Sequence, residues 1–357
     1  MKKVLIAAGG SGGHIIPALS IAAELQKRDC QIHYIGNFDS MEERLVHQEG
    51  ITFSAIDVQK IYRKLTFAHF RFPYKLLKSI KNSRTVIQEF VPDAFLGTGG
   101  FVSGPVGYAA HLEKVPIFLQ EQNSYPGLTT RILSKWSDTI FLGNRQAEKY
   151  FVDKRVIHSG NPIKKDIMDT DEKLDFTGLG LREDTVKVLI LGGSQGSVAI
   201  NKVILDIVDK LLKMGIEIIW QIGKYSYSEI SQKIKGKQGI YYFDFTNEIG
   251  RIYNSVDMAI TRAGAISIAE MESKQIPCLF IPLPTAAENH QYHNAKEQVD
   301  NGTARIIEQK HFSRSTLLET MKIMLKEKDK MKSNFKQSSH LKAAENIAAE
   351  IVNRIQR

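Results

Sequence analysis

One pattern constrains this chain more than any other: a short apolar strand, a glycine-rich turn and a helix, met at the N-terminus and again past the middle. Lys3–Ala8 is a β-rich apolar run that ends in Gly9-Gly10-Ser11-Gly12-Gly13-His14, and Pro17 then opens an amphipathic segment through Arg28. Val186–Leu191 is a second strand, apolar except for Lys187. Gly192-Gly193-Ser194-Gln195-Gly196-Ser197 and a helical stretch from Val198 to about Met214 follow it. A strand feeding a helix through a tight glycine turn is the first βα unit of a nucleotide-binding α/β fold. Gln31–Ile35, Ala94–Leu96 and Ile117–Leu119 read as further strands of the first half. Ile216–Gln221, Met258–Ile260 and Cys278–Ile281 read as buried parallel strands of the second. What repeats is architecture, not sequence, and the predicted fold is α/β with two doubly wound, Rossmann-like halves.

A chain of 357 residues has room for two such domains. The segment from Asn161 to Asp184 is charged and broken by Pro162, Gly178 and Gly180, which suits an interdomain linker. The predicted domains are therefore 1–162, joined by a C-terminal helix over 341–357, and 163–340. Two distant cysteines, Cys30 and Cys278, fit a reducing compartment and argue against a disulfide scaffold. Met1-Lys2-Lys3 and the apolar residues after it resemble the start of a signal peptide, but the run stops at Gly9-Gly10, too short for an h-region. No apolar stretch approaches the roughly 20 residues of a spanning helix, so a soluble or peripheral protein is expected.

The Gly9–His14 loop suits an anion, because small residues let backbone N–H groups approach and the helix behind adds a positive dipole end. It is neither a dinucleotide fingerprint, since Ile15 stands at the third glycine position, nor a Walker A loop, which needs GK[ST]. His14 is either a satisfied structural histidine or, beside a phosphate loop, a candidate general base. Gly192–Ser197 is a second anion loop, with Ser194 as a hydroxyl donor. Arg262-Ala263-Gly264-Ala265 opens the helix carrying Glu270, whose carboxylate is either solvated or placed to accept a ribose diol. Glu288 to Asn294 is dense in amides and imidazoles suited to sugar hydroxyls. His290 and His293 have no carboxylate-rich or HExxH pattern around them, and Asp169-Thr170-Asp171 lies in the linker, so no metal is expected.

The formal charge of +9 is concentrated. Residues 58–88 hold eight lysines and arginines (Lys60, Arg63, Lys64, Arg71, Lys75, Lys78, Lys81, Arg84) and no acid, interleaved with Ile61, Tyr62, Phe67, Phe70, Phe72 and Tyr74. Such a segment stacks nucleic-acid bases or enters a lipid interface beside anionic headgroups. Its aromatics favour the membrane.

Seven motifs, in order, now carry a resemblance over almost the whole chain: GGSGGH (9–14), GTGGFVSGP (97–105), QEQN (120–123), GNPIK (160–164), GGSQGS (192–197), RAGAISIAE (262–270) and HQYHNA (290–295). The chain resembles the MurG family, the UDP-N-acetylglucosamine transferases that convert lipid I to lipid II in bacterial peptidoglycan synthesis. The resemblance implies a GT-B architecture, with two Rossmann-like domains facing across a cleft and the donor held mostly by the C-terminal one. It implies an inverting, metal-independent and cofactor-free transfer to the 4-hydroxyl of MurNAc in undecaprenyl-pyrophosphoryl-MurNAc-pentapeptide. His14 corresponds to the proposed base. Ser11, Gly12, Gly13 and Asn123 would contact the donor from the N-terminal side, with Lys164 a further donor residue. Ser194 would meet the diphosphate, and Ala265, Ile266, Ser267, Ile268, Ala269 and Glu270 would form the helix start and ribose clamp. Thr246 would read uracil through its backbone, while Gln291 and Asn294 would bind the GlcNAc hydroxyls. Thr98, Gly99, Gly100 and Ser103 would face the acceptor pyrophosphate. The partners implied are UDP-GlcNAc, lipid I and the membrane surface through 58–88, with no nucleic acid, at the cytoplasmic face of the bacterial membrane. Two departures stand out: the family often has His where this chain has Gln120, and Arg where it has Lys164, a point charge without the planar fork. A UDP-GlcNAc 2-epimerase or a non-catalytic UDP-sugar-binding protein would keep the same fold. Neither would use the 58–88 segment and His14 together.

Overall fold

The computed structural model describes residues 1–59, 68–193 and 196–356, the side chains of residues 68–71, 166 and 168 excepted. The chain divides into two compact units, Met1–Lys164 with Ser339–Arg357, and Lys165–Ser338. The first is built on seven parallel strands: β1 (Lys2–Ala7), β2 (Cys30–Asn37), β3 (Thr52–Ile56), β4 (Ala94–Gly97), β5 (Ile117–Glu121), β6 (Thr139–Leu142) and β7 (Val156–His158). The second has six: β8 (Val186–Leu191), β9 (Ile216–Gln221), β10 (Ile240–Phe243), β11 (Met258–Thr261), β12 (Cys278–Phe280) and β13 (Ala304–Ile306). Their spatial orders are β3-β2-β1-β4-β5-β6-β7 and β10-β9-β8-β11-β12-β13, every described pairing parallel. Each is the Rossmann order, which reverses direction beside its first strand. That reversal opens a crevice at the carboxyl ends of β1 and β4 in one unit and of β8 and β11 in the other.

The cores explain the near-continuous apolar strands. In β1, Val4 and Ile6 pack on one face of the sheet and Leu5 and Ala7 on the other, all of them fully buried. A parallel sheet with helices on both faces has no solvent side to pattern. The helix Ala343–Ile355 contributes Ile347, Ala348 and Ile351 to the same core as the helix Gly12–Gln26. In the second unit, Val188 and Ile190 face one cluster and Leu189 and Leu191 another.

Two sequence readings are corrected. Pro17 does not open its helix, which begins at Gly12. Ser11 is the N-cap, and its carbonyl receives the His14 and Ile15 N–H groups. Glycines 12 and 13 carry no helical propensity of their own, so tertiary placement sets that start. The stretch read as a linker does contain the boundary between the units, after Lys164, but it is packed: Ile163, Ile167, Phe176 and Leu181 are all buried, the last three in a core of the second unit.

Candidate functional site

In the first unit, the two glycine loops that leave β1 and β4 flank the crevice. They approach so closely that a Cβ on Gly100, whose φ is +80°, would lie 2.0 Å from the Gly9 carbonyl oxygen. A Cβ on Gly99, at φ +101°, would meet the His14 ring at 2.8 Å. Only glycine fits either place. His14 stands in the first turn of the Gly12–Gln26 helix, with Nδ1 3.1 Å from the Thr98 carbonyl oxygen and 3.0 Å from Gln122 Oε1. Ser11 is exposed, and its side chain makes no capping bond. The first N–H groups of the helix, at Gly12 and Gly13, have no partner within the helix itself, which is the arrangement that attracts anions.

Other residues of this unit shape the loops. Thr98 is buried, and its hydroxyl donates to the His14 carbonyl at 2.8 Å. Ser103 is also buried, donating to Ala7 O at 2.6 Å and Gly99 O at 2.8 Å. Both hydroxyls are engaged within the unit and hold the loop in shape, so an acceptor contact at these two residues would have to come from their backbone. Gly99 and Gly100 remain the part of that loop whose backbone bounds the crevice. Glu121, buried, accepts from the backbone N–H and the side-chain amide of Asn123, both at 3.0 Å, and from Gly127 N at 3.0 Å. A carboxylate ties this loop together, and Asn123 is oriented by it. Lys164 is exposed at the last residue of the unit's first stretch.

In the second unit, Ser194 and Gln195 lie outside the described residues. The rest of their loop is constrained: Gly193 and Gly196 have φ of +89° and +79°, and a Cβ on Gly196 would lie 2.2 Å from Ile222 O. Ser197 caps the helix Val198–Lys213, its hydroxyl accepting from Ile200 N. Arg262 donates to that hydroxyl at 2.7 Å, to Gln309 Oε1 at 2.7 Å, and to the carbonyls of Ile281 and Pro282 at 2.9 and 3.3 Å. These four partners are neutral. Burial lowers the Arg262 pKa below its ordinary value, yet a guanidinium stays charged. A cation with neutral partners, beside a loop of backbone N–H groups at a helix start, attracts a diphosphate.

The helix Ala265–Ser273 begins after Gly264 with no side-chain cap. Ile266, Ile268 and Ala269 are buried, so their side chains belong to the core, while Ala265 and Ser267 are half-buried in the first turn. Glu270 is 8% exposed, and Tyr253, fully surrounded, donates its hydroxyl to Oε2 at 2.9 Å. Burial and then the Glu270 charge push the Tyr253 phenol well above its usual range, so it stays a donor. Thr246 follows β10, its hydroxyl accepting from Glu248 N at 3.0 Å. Gln291 accepts the Leu283 N–H at 2.9 Å through Oε1, a bond that does not engage its NH2 group. Asn294 is 3% exposed, so its amide is part of the packed helix His290–Asp300. Just before it, Glu288 and Asn289 both adopt left-handed backbone (φ 51° and 54°), conformations that L-residues hold only where surroundings impose them.

Two Rossmann-like units, each with paired loops at its switch point, one carrying a histidine and the other a buried carboxylate, are the architecture of nucleotide-sugar glycosyltransferases and their relatives. The comparisons with known proteins agree. The N-terminal domain of glycosyltransferase family 28 matches residues 4–142, and the C-terminal domain of that family matches residues 187–354. The chain is 35% identical, over 98% of its own length and 97% of the relative's, to the UDP-N-acetylglucosamine–N-acetylmuramyl-(pentapeptide) pyrophosphoryl-undecaprenol N-acetylglucosamine transferase of Flavobacterium psychrophilum. It is 33% identical to the transferase of the same name from Bacillus subtilis, over 91% of each chain. The crystal structure of MurG from Acinetobacter baumannii superposes with a TM-score of 0.77 at 26% identity, covering 100% of this chain and 99% of that one. The chain belongs to glycosyltransferase family 28 and, within it, to the MurG transferases. A UDP-GlcNAc 2-epimerase from Neisseria meningitidis shares the fold, with a TM-score of 0.68 at 16% identity over 98% of this chain and 100% of that one.

Proposed function

We propose that the chain transfers N-acetylglucosamine from UDP-GlcNAc to the 4-hydroxyl of the MurNAc residue of undecaprenyl-pyrophosphoryl-MurNAc-pentapeptide, with inversion at C1. The observation that carries the chemistry is His14, held in the first helical turn between the two glycine loops of the first unit. The imidazole takes the proton of the acceptor hydroxyl as its oxygen forms a bond to C1 of the sugar. The C1–O bond to the diphosphate breaks on the opposite face, and UDP leaves with the electron pair. Arg262, the start of the Val198–Lys213 helix and the 192–197 loop balance the growing charge on that leaving group. Glu270 accepts the ribose hydroxyls, the backbone at Thr246 reads uracil, and Gln291 donates its NH2 group to a GlcNAc hydroxyl.

The acceptor pyrophosphate lies against the backbone of Gly99 and Gly100 and the helix start at Gly12 and Gly13. Such an acceptor is lipid-borne, so we assign the helix Ala68–Phe90 and its neighbours to docking on the membrane's cytoplasmic face. The support is local: Tyr74 and Leu77 are 69% and 68% exposed on a helix that also exposes Lys78, Lys81 and Arg84. Lys60, Ile61, Tyr62, Arg63, Lys64 and Phe67 of that segment lie outside the described residues, as do the side chains of Phe70 and Arg71.

UDP release from UDP-GlcNAc, followed in chelator with and without a lipid-linked MurNAc-pentapeptide, tests the reading. Acceptor-dependent release is expected, falling about 10²- to 10⁴-fold in His14→Ala. Release independent of acceptor would point to an epimerase or hydrolase, and parental turnover in His14→Ala would remove the base.

A further inference from the structure

A buried chain of amides runs from His14 through Gln122 and Gln120 to Asn161. Gln122 is 3% exposed. Its Nε2 donates to Thr98 O at 2.7 Å, to Gln120 O at 3.3 Å and, in a short bond, to Gln120 Oε1. Its Oε1 therefore faces His14 Nδ1, 3.0 Å away. Turning the amide over would set that oxygen against three acceptors and leave the NH2 group facing the ring, so the neighbours determine its orientation.

Gln120, fully buried, is held in turn. Its Nε2 donates to Asn161 Oδ1 at 3.2 Å, while Asn161 Nδ2 donates to Gln122 O at 3.0 Å. The Asn161 backbone N–H donates to His340 Nδ1 at 2.7 Å. Space for the Asn161 amide exists because residue 143 is glycine, whose added Cβ would lie 1.8 Å from Oδ1.

The consequence falls on the imidazole. Nδ1 of His14 faces two oxygens, Gln122 Oε1 and Thr98 O, neither of which has a hydrogen to give. It must be the donor. A neutral imidazole has one N–H, so Nε2 is left with its lone pair, which is the state a general base requires. We propose that Gln122, held by Gln120 and Asn161, is the positioning residue that keeps the His14 proton on Nδ1 and leaves Nε2 basic. The inference rests on His14 being the base. It also gives Gln120 a use: where the family often has histidine, this glutamine offers an acceptor to Gln122 and a donor to Asn161 from one side chain that does not titrate.

Long-range ¹H–¹⁵N spectra of the labelled full chain at about pH 8, where ordinary histidines are neutral, read the tautomer directly, with the His14 signals assigned by their loss in His14→Gln. The Nδ1–H form is expected, and the Nε2–H form would overturn the proposal. Gln122→Met keeps the length of the side chain and removes the bond to His14 Nδ1 together with the donations to Thr98 and Gln120. Its kcat is expected to fall roughly 10- to 100-fold with the KM for UDP-GlcNAc within about twofold, and, with only the Thr98 carbonyl left facing Nδ1, some Nε2–H form should appear beside the Nδ1–H form in its spectrum. Parental kcat in a folded Gln122→Met protein would sink the idea. If that variant does not fold, the tautomer of the parent still decides. Parental turnover in His14→Ala would instead end the base reading. An inactive His14→Ala beside an Nε2–H parent would keep the base and reject only the role of Gln122.

Discussion

Glu270 and Tyr253 show what a single residue's neighbours add to its motif. Glu270 is a ribose candidate from sequence because it closes RAGAISIAE on the helix behind a short strand, a place where α/β folds can set a carboxylate. Tyr253 is not legible in this way, because only tertiary packing brings its hydroxyl to the carboxylate. The same holds for Arg262, which meets Ser197 and Gln309, and for Gln120 and Gln122, which meet Asn161 and Thr98 of other motifs as well as each other. If Glu270 binds the ribose, losing its charge removes charge-assisted bonds of about 1.5–3 kcal/mol, whereas losing the Tyr253 hydroxyl removes one orienting bond of about 0.5–1.5 kcal/mol. Calorimetric titration with UDP should then show Kd raised roughly 10- to 100-fold in Glu270→Gln and roughly 2- to 10-fold in Tyr253→Phe. Unchanged affinity in Glu270→Gln would take the ribose role away from it.

Among the elements, the central strands were readable and the outer ones were not. β1, β4, β8 and β9 are apolar runs buried on both faces. The strands missed, β3, β6, β7, β10 and β13, are three to five residues long, and most lie toward the sheet margins, where partly exposed residues dilute the pattern. One polar residue inside a central strand also has a tertiary explanation. Lys187 in β8 is 1% exposed, and its Nζ donates to the carbonyls of Arg182, Glu183 and Thr185. Opposite it on β9 stands Glu217, whose carboxylate accepts from Arg182 N, Arg182 Nε and the Thr185 hydroxyl at 2.8, 2.9 and 2.7 Å. Burial opposes the charge on Glu217, but those donors outweigh it and hold the carboxyl below its usual range. A depressed folded-state pKa stabilises above the unfolded value, near 4.3, and the contribution is lost as pH falls through the folded value. Glu217→Gln should therefore cost about 3 kcal/mol in urea unfolding at neutral pH, and the gap to the parent should narrow on acidification below about pH 4. A gap that stays constant with pH would mean the carboxylate's charge is not what matters there.

If the acceptor is lipid-borne, as proposed, the molecule as a whole must bring its site to a membrane surface, and among the described residues no helix is long and apolar enough to cross a membrane. Docking through a surface is the route proposed above, and the net charge of +9 suits an anionic leaflet. Charge alone does not locate the surface, because some of these cations are already paired: Lys75 with Asp57 at 3.1 Å and Arg84 with Glu113 at 2.6 Å. Tyr74, Leu77, Lys78 and Lys81 recur at helical spacing on one exposed face. Exposed Tyr108 and Leu112 lie on the helix Gly100–Leu112, which packs against theirs. Inserting an apolar side chain is worth roughly 1.5–3 kcal/mol, and a cation near an anionic surface about 1 kcal/mol. The two contributions are separable. Tyr74→Ser with Leu77→Ser should weaken sedimentation with anionic vesicles by at least about tenfold at any ionic strength. Lys78→Gln with Lys81→Gln should weaken it only at low salt, where charges are not screened. UDP affinity should stay at the parental value in both. If neither pair alters vesicle binding, this face does not meet the membrane. If the lysine pair alone matters and polynucleotides compete with the vesicles, the basic helix is a polyanion site instead.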